Sequence, residues 1–285
     1  MTPDELARLD KFEDVFAGPT GIVGERATSL HDAEAEHRQT AINQWTIWIR
    51  TLDSFFDFSI HTLSQANSQP SPLLSACFVS SFWRLRSSYT LLLNGYYEDA
   101  SALLRAVWEN VRHMAAARGG AIRFEAIWDL APDFAAMPPE AQRKHRKSQR
   151  SKFEQAIEDY HAAKLDASQW KALKQAYEVT HSDVHRSELA MVALISTFHK
   201  GDGMRLFPAY DREASSRVAN LTVFLLWAMA RLLHHFYDGR LPSGDWEKRF
   251  RALDEHFAWQ VSGFGSVLPH LEVCFKHYME RVLPL

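Results

Sequence analysis

The longest apolar stretch of the chain, Val218–Ala230 (VANLTVFLLWAMA), is stopped by Arg231, and it limits what the rest can fold into. A membrane-spanning helix needs roughly 20 apolar residues, and this run is shorter. It therefore reads as a helix buried in protein, and the remaining chain must supply the helices that cover it. On this reading the protein is soluble and has no membrane partner. Composition agrees: 46% hydrophobic and 24% charged residues over 285 positions describe a folded chain, which excludes wholesale disorder. A net charge of −3 argues against a surface given over wholly to nucleic acid.

Nearly every other segment carries helical periodicity with marked ends. Thr2-Pro3-Asp4-Glu5 is a capping box with proline at the first helical position, and Gly18-Pro19-Thr20-Gly21 breaks the chain. From about Ser29 to Asn67, Ile42, Trp45, Trp48, Ile49, Leu52, Phe55, Phe56 and Ile60 recur at three- and four-residue steps and predict a long helix with one core face. Ser71-Pro72 opens a helix that Gly95 ends, apolar nearly all round and therefore central. Further helices are expected over Tyr96–Arg118, Glu140–Ala163, Ser168–His185, Asp211–Asp238, Ser243–Val261 and Val267–Val282, with a short piece at Ile122–Leu130 before Pro132. Met191–His199 and Met204–Tyr210 flank the turn Lys200-Gly201-Asp202-Gly203, which has the texture of a β-hairpin. The expected fold is an all-α bundle of about eight helices, with one short hairpin near residues 191–210. It forms a single domain over 1–285, with its core at 29–190 and 211–282. Cys77 and Cys274 form no metal or redox motif, and the acidic start MTPDELARLDKFEDVF does not read as a signal peptide, so a cytoplasmic location is expected.

Chemistry can sit in two places. On the Tyr96–Arg118 helix, Leu104, Val107, Trp108, Val111, Met114 and Ala115 make a broad apolar face, and Arg105, Glu109 and His113 follow one another by turns on the other side. As a solvated face this is an ordinary helical ion pair. Yet Ser101, Ala102, Ala106, Ala116 and Ala117 share that side, and small residues admit a second helix. Arg105, Glu109 and His113 would then lie between helices, where charges persist only when paired or bound. The second place is Thr180–Glu188. His181 and His185 are one turn apart, with Glu188 three residues on, a spacing at which two imidazoles can hold one metal. Position 182 is Ser, so the general base of the His-Glu-x-x-His metalloproteases is missing. Glu109, His113, His181 and His185 together would make a divalent-metal set of the kind found in helix bundles.

Leu103-Leu104-Arg105-Ala106-Val107-Trp108-Glu109, with Tyr177 and Val184-His185 later, resembles a bacterial all-helical family of unknown function. That family carries a Leu-Leu-Arg…Glu helix and a later Tyr…Val-His pattern, and the likeness covers residues 75–195. Where a serine would follow four residues after the tyrosine, this chain has His181. The resemblance implies that Arg105, Glu109 and His185 meet across two helices, and it supplies no activity.

The run Arg143–Lys152 (RKHRKSQRSK) is the one strong charge asymmetry. It reads either as a solvated helix face or as a contact for nucleic acid or an acidic partner. Arg251 and Arg249 precede His256 at spacings used by some helical bacterial toxins and defence nucleases, but about three such matches are expected by chance at this composition. His234-His235 reads as a cationic helix end, and the tryptophans read as core. No phosphate loop or nucleophile elbow is present, which disfavours ATPases, kinases, dinucleotide enzymes and ordinary serine hydrolases. The leading expectation is a nuclease-like, defence-related hydrolase of phosphodiesters. In it Glu109 and His185 are the acid/base pair, Arg105 stabilises anionic charge, and His113 and His181 are auxiliary. The alternatives are an interaction or regulatory protein without catalysis and a Glu/His metal-binding bundle. Self-association is left open.

Overall fold

A computed structural model describes residues 30–44, 46–68, 70–123, 134–184, 212–241, 244–263 and 269–285. Among them are nine α-helices: α1 (Leu30–Gln44), α2 (Thr46–Gln65), α3 (Pro72–Leu93), α4 (Tyr97–Arg118), α5 (Pro139–Lys164), α6 (Ala167–Val184), α7 (Arg212–Tyr237), α8 (Gly244–Ser262) and α9 (Pro269–Arg281). A 3-10 turn, Phe134–Ala136, precedes α5. The all-α helical bundle read from the sequence is what forms. The capping box at Thr2–Glu5, the short piece ending at Leu130 and the hairpin at 191–210 lie outside the described residues.

Local signals set the ends of α3. Ser71 is extended, and its side chain accepts a hydrogen bond from the Leu74 amide at 3.2 Å, with Pro72 at the first helical position. At the other end Gly95 takes φ 86°, which lets its own amide reach Leu92 and the Tyr96 amide reach Leu91. A side chain here would strain the left-handed turn.

The helix at the centre is α7, formed by the apolar run predicted to be buried; α3, expected to be central, leaves Val79 and Trp83 42% and 57% exposed. From Val218 to Ala230 every residue is buried, and α2, α3, α4 and α8 pack around it. Its window Ser215–Tyr237 is long and apolar enough to cross a membrane by length and composition, and 83% of that window is covered by the bundle. The buried apolar residues of α2–α4 and α6–α9 form one contiguous cluster. A smaller cluster of Ala116, Ile122, Phe153 and Ile157 lies under α5.

A charged strut joins the last three helices. Arg231, the residue that stops the apolar run, donates from Nε and Nη2 to the two carboxylate oxygens of Asp254 on α8, at 2.6 and 2.9 Å. Its Nη1 donates to the carbonyls of Met279 and Leu283 at 2.9 Å, and Trp227 Nε1 donates to Asp254 at 2.6 Å. Both side chains are close to buried, at 12% and 10% exposed. All three guanidinium nitrogens and both carboxylate oxygens have partners, which is the condition under which a buried pair is tolerated.

Candidate functional site

The predicted helix pairing is present, because α4 packs on α6. The predicted burial of the α4 charges is not. Arg105 Nε stands 3.3 Å from Glu109 Oε1, and the two side chains are 28% and 49% exposed. The small residues do admit neighbours, α3 along the first part of the helix and α5 at Ala116, but these approach beside the charged stripe and do not cover it. Buried Ser88 donates to the Ala100 carbonyl at 3.0 Å, and Asn110 donates to buried Ser81 at 2.9 Å. Ser101 and Ala116 turn inward, and Glu109 stays in solvent. An exposed i,i+4 pair is worth about 0.5 kcal/mol or less. Glu109→Ala is accordingly expected to unfold within that margin of wild type in urea, and a loss several times larger would show that Glu109 is held by more than Arg105.

His113 faces α5, with Nε2 3.6 Å from Glu154 and its ring edge-on to Phe153. Burial pushes its pKa down, against the pull of Glu154. His181 lies on the last turn of α6, where the backbone alone is described, and His185 lies outside the described residues. Of the four candidate metal ligands, only Glu109 and His113 therefore have described side chains. Among the described residues no three His, Cys, Asp or Glu groups converge as a metal site.

Where α4, α5, α6 and α9 meet, the structure assembles a network that the sequence reading missed. Glu158 accepts from Arg112, from Lys174 Nζ at 2.7 Å and from Trp170 Nε1 at 3.2 Å. Burial raises the Glu158 carboxyl, but the Lys174 hydrogen bond and the Arg112 charge outweigh it and hold the pKa below the usual range. Beneath it His161 is fully buried, its ring stacked between Trp170 and Tyr278. Its Nδ1 lies 2.8 Å from the Ile157 carbonyl, which can only accept, so Nδ1 carries the proton and Nε2 accepts from the Tyr278 hydroxyl at 3.0 Å.

Burial depresses the His161 pKa from 6.5 to about 4, and the Ile157 hydrogen bond only partly opposes this. Below pH 6.5 the unfolded chain takes up the proton before the folded one does. Stability is therefore lost as pH falls from 6.5 towards 4, by about 3 kcal/mol for a shift of this size. Urea unfolding of wild type and His161→Gln across this range tests it. The variant is expected to show the shallower fall, and parallel curves would refute the assignment. This network ties α4, α5, α6 and α9 together.

The described residues do line an open groove, and it lies between α2 and α8. The two helices run antiparallel, held by Phe58 against Trp246 and Phe250, by Phe55 against Phe257 and by Trp246 Nε1 donating to Thr62 at 2.8 Å. Above this apolar floor is a cavity of about 670 Å³ whose polar walls are Arg50, Thr51, Ser54 and Asp57 from α2, and Arg249 and His256 from α8. Arg50, Ser54 and Asp57 recur at one-turn steps, and Arg249 and His256 are two turns apart, so each set is a stripe on one helix face. Between them on α8, small Ala252 leaves the space open.

His256 is positioned by two neighbours. Thr51 Oγ1 accepts from Gln260 Nε2 at 2.9 Å and stands in hydrogen-bond contact with His256 Nε2 at 2.7 Å. The other ring nitrogen, Nδ1, has no hydrogen-bond partner among the described residues. Neither Arg50 nor Arg249 has a carboxylate within ion-pair distance among the described residues. Of the two arginines that the sequence spaced against His256, Arg249 thus shares its groove. Arg251 does not: it is 73% exposed and paired with Glu247.

The basic run forms the first half of α5. Arg143, Lys144, Arg146, Lys147, Arg150 and Lys152 are all exposed, while Gln142, His145, Gln149 and Phe153 turn inward. Arg146 stacks over Phe134 at 5.1 Å. Like charges one turn apart on this face repel, so the helix is held by its inner stripe. Comparison with protein-family models, curated proteins and solved structures finds no match to the chain.

Proposed function

We propose that the chain acts on phosphodiesters, in a nuclease-like manner, through the groove between α2 and α8. The observation that carries this reading is the pair of guanidiniums, Arg50 and Arg249, lining one open cavity with an imidazole and without carboxylate partners among the described residues. Guanidiniums match phosphate oxygens with their fork of donors. As the bond from phosphorus to the attacking oxygen forms and the bond to the leaving oxygen breaks, these charges offset the negative charge on the phosphoryl oxygens. The proton lost by the attacking oxygen and gained by the leaving one passes through His256. Asp57, at the Arg249 end, disfavours the reacting phosphate there, so this phosphate sits against Arg50 and His256 while Arg249 meets a neighbouring phosphate of the same strand. The exposed cations of α5 add non-specific attraction to a polyanion. Two free thiols, Cys77 and Cys274, fit a reducing compartment such as the cytoplasm.

A second reading keeps the reaction on α4, with Arg105, Glu109 and His185. It is favoured by the packing of α4 on α6 that it requires. Turnover of labelled RNA and DNA oligomers by wild type, Arg249→Ala and Glu109→Gln separates the two. Loss in Arg249→Ala supports the groove, and loss in Glu109→Gln instead moves the chemistry to α4. Binding without turnover in wild type leaves an interaction protein, and neither binding nor turnover overturns the proposal.

A further inference from the structure

Trp259 lies three residues beyond His256 on α8 and is 60% exposed, the most exposed tryptophan among the described residues. One exposed aromatic is ordinary on any surface. What sets this one apart is its place. Its ring centroid is 5.4 Å from that of His256, at a tilt of 36°, so one part of the indole is backed by the imidazole and the rest is open. Thr51, next to Arg50 in sequence, is bonded to both His256 and Gln260, which stand three residues before and one residue after Trp259. The antiparallel register therefore puts Arg50 and His256 at one end of the groove, with Asp57 and Arg249 towards the other. Trp259 does not line the cavity; it stands beside His256, one turn further along α8 at that end. From Arg249 to Trp259 is ten residues of helix, about 15 Å along the axis, which is longer than one nucleotide.

We propose that Trp259 is a base-stacking platform and that the phosphate-bearing ligand of the groove is a single-stranded nucleic acid. This rests on the groove reading above. A phosphate held by Arg50 and His256 leaves the attached base beside an open indole face. Base–aromatic stacking needs that face, and every base offers one, so the contact tolerates sequence. In a duplex the bases lie stacked on one another and present only their edges, so a paired strand gains nothing from Trp259. Single-strandedness follows from the platform, and affinity for phosphate alone does not depend on it.

The test is fluorescence anisotropy with a short labelled single-stranded oligonucleotide carrying 2′-O-methyl riboses, which resists cleavage, and the same oligomer annealed to its complement. Inorganic pyrophosphate serves as competitor. Wild type is expected to prefer the single strand. Trp259→Ala is expected to weaken that binding by about 5- to 150-fold, the contribution of one stacked base, while Trp259→Phe recovers most of it. Pyrophosphate should compete equally well in wild type and Trp259→Ala. If Trp259→Ala binds the single strand as wild type does while Arg50→Ala is weakened, the stacking inference fails and the groove reading stands. If neither substitution matters, or no oligomer binds, both fail. Trp259 is 60% exposed, so its variants are expected to fold, and a thermal melt checks this.

Discussion

His256→Ala is expected to lower phosphodiester turnover by about 10²- to 10⁴-fold, the range for loss of a positioned proton-transfer group. At the Arg50 end of the groove the imidazole is the side chain whose ring nitrogens can both give and take a proton, and Thr51 beside it is buried. Stability should change little. The substitution removes a half-buried ring that leaves Thr51 and Gln260 still bonded to each other, a cost of about 1 kcal/mol. Thr51→Val keeps the shape and removes the hydroxyl bonded to His256 Nε2. It should reduce turnover less than His256→Ala and leave substrate affinity nearly intact, because Thr51, 4% exposed in the groove wall, acts by positioning His256. Equal turnover in wild type and His256→Ala would remove the groove from the reaction.

The fold was legible wherever the signal is local. The serine–proline start of α3 and its glycine stop are written in consecutive residues, and a helix end needs no distant partner. The apolarity of Val218–Ala230 likewise has one physical outlet, burial, whatever surrounds it. The site was less legible because its geometry depends on partners far along the chain. Arg249 and His256 were visible as a spacing, but a spacing frequent by chance gains meaning only when α2 brings Arg50 and Thr51 across from it. On α4 the small residues correctly announced a close neighbour. Which of two adjacent stripes that neighbour covers is a matter of one helical position, and Glu109 fell on the open side. His161 carried no signal at all, since its partner Tyr278 is 117 residues away.

Asp254 shows the same limit with a larger energy attached. In the sequence it stands between Arg251 and His256, as if part of that spacing, yet its side chain belongs to Arg231 on α7. Asp254→Ala is expected to destabilise the fold by about 3–5 kcal/mol, because it strands a guanidinium that the bundle almost wholly covers. The Trp227 N–H loses its acceptor at the same stroke. Arg231 retains the carbonyls of Met279 and Leu283, which satisfy its hydrogen bonds in part but supply no charge. The double variant Arg231→Met, Asp254→Leu should regain most of the loss, since an apolar pair of similar volume carries no desolvation cost. Urea unfolding of the two single variants and the double variant measures the coupling. A double variant as unstable as Asp254→Ala would mean that the strut holds α9 through its carbonyl contacts rather than through the ion pair. Because Asp254 and His256 lie on opposite faces of one helix, the double variant should also keep its groove, separating loss of fold from loss of site.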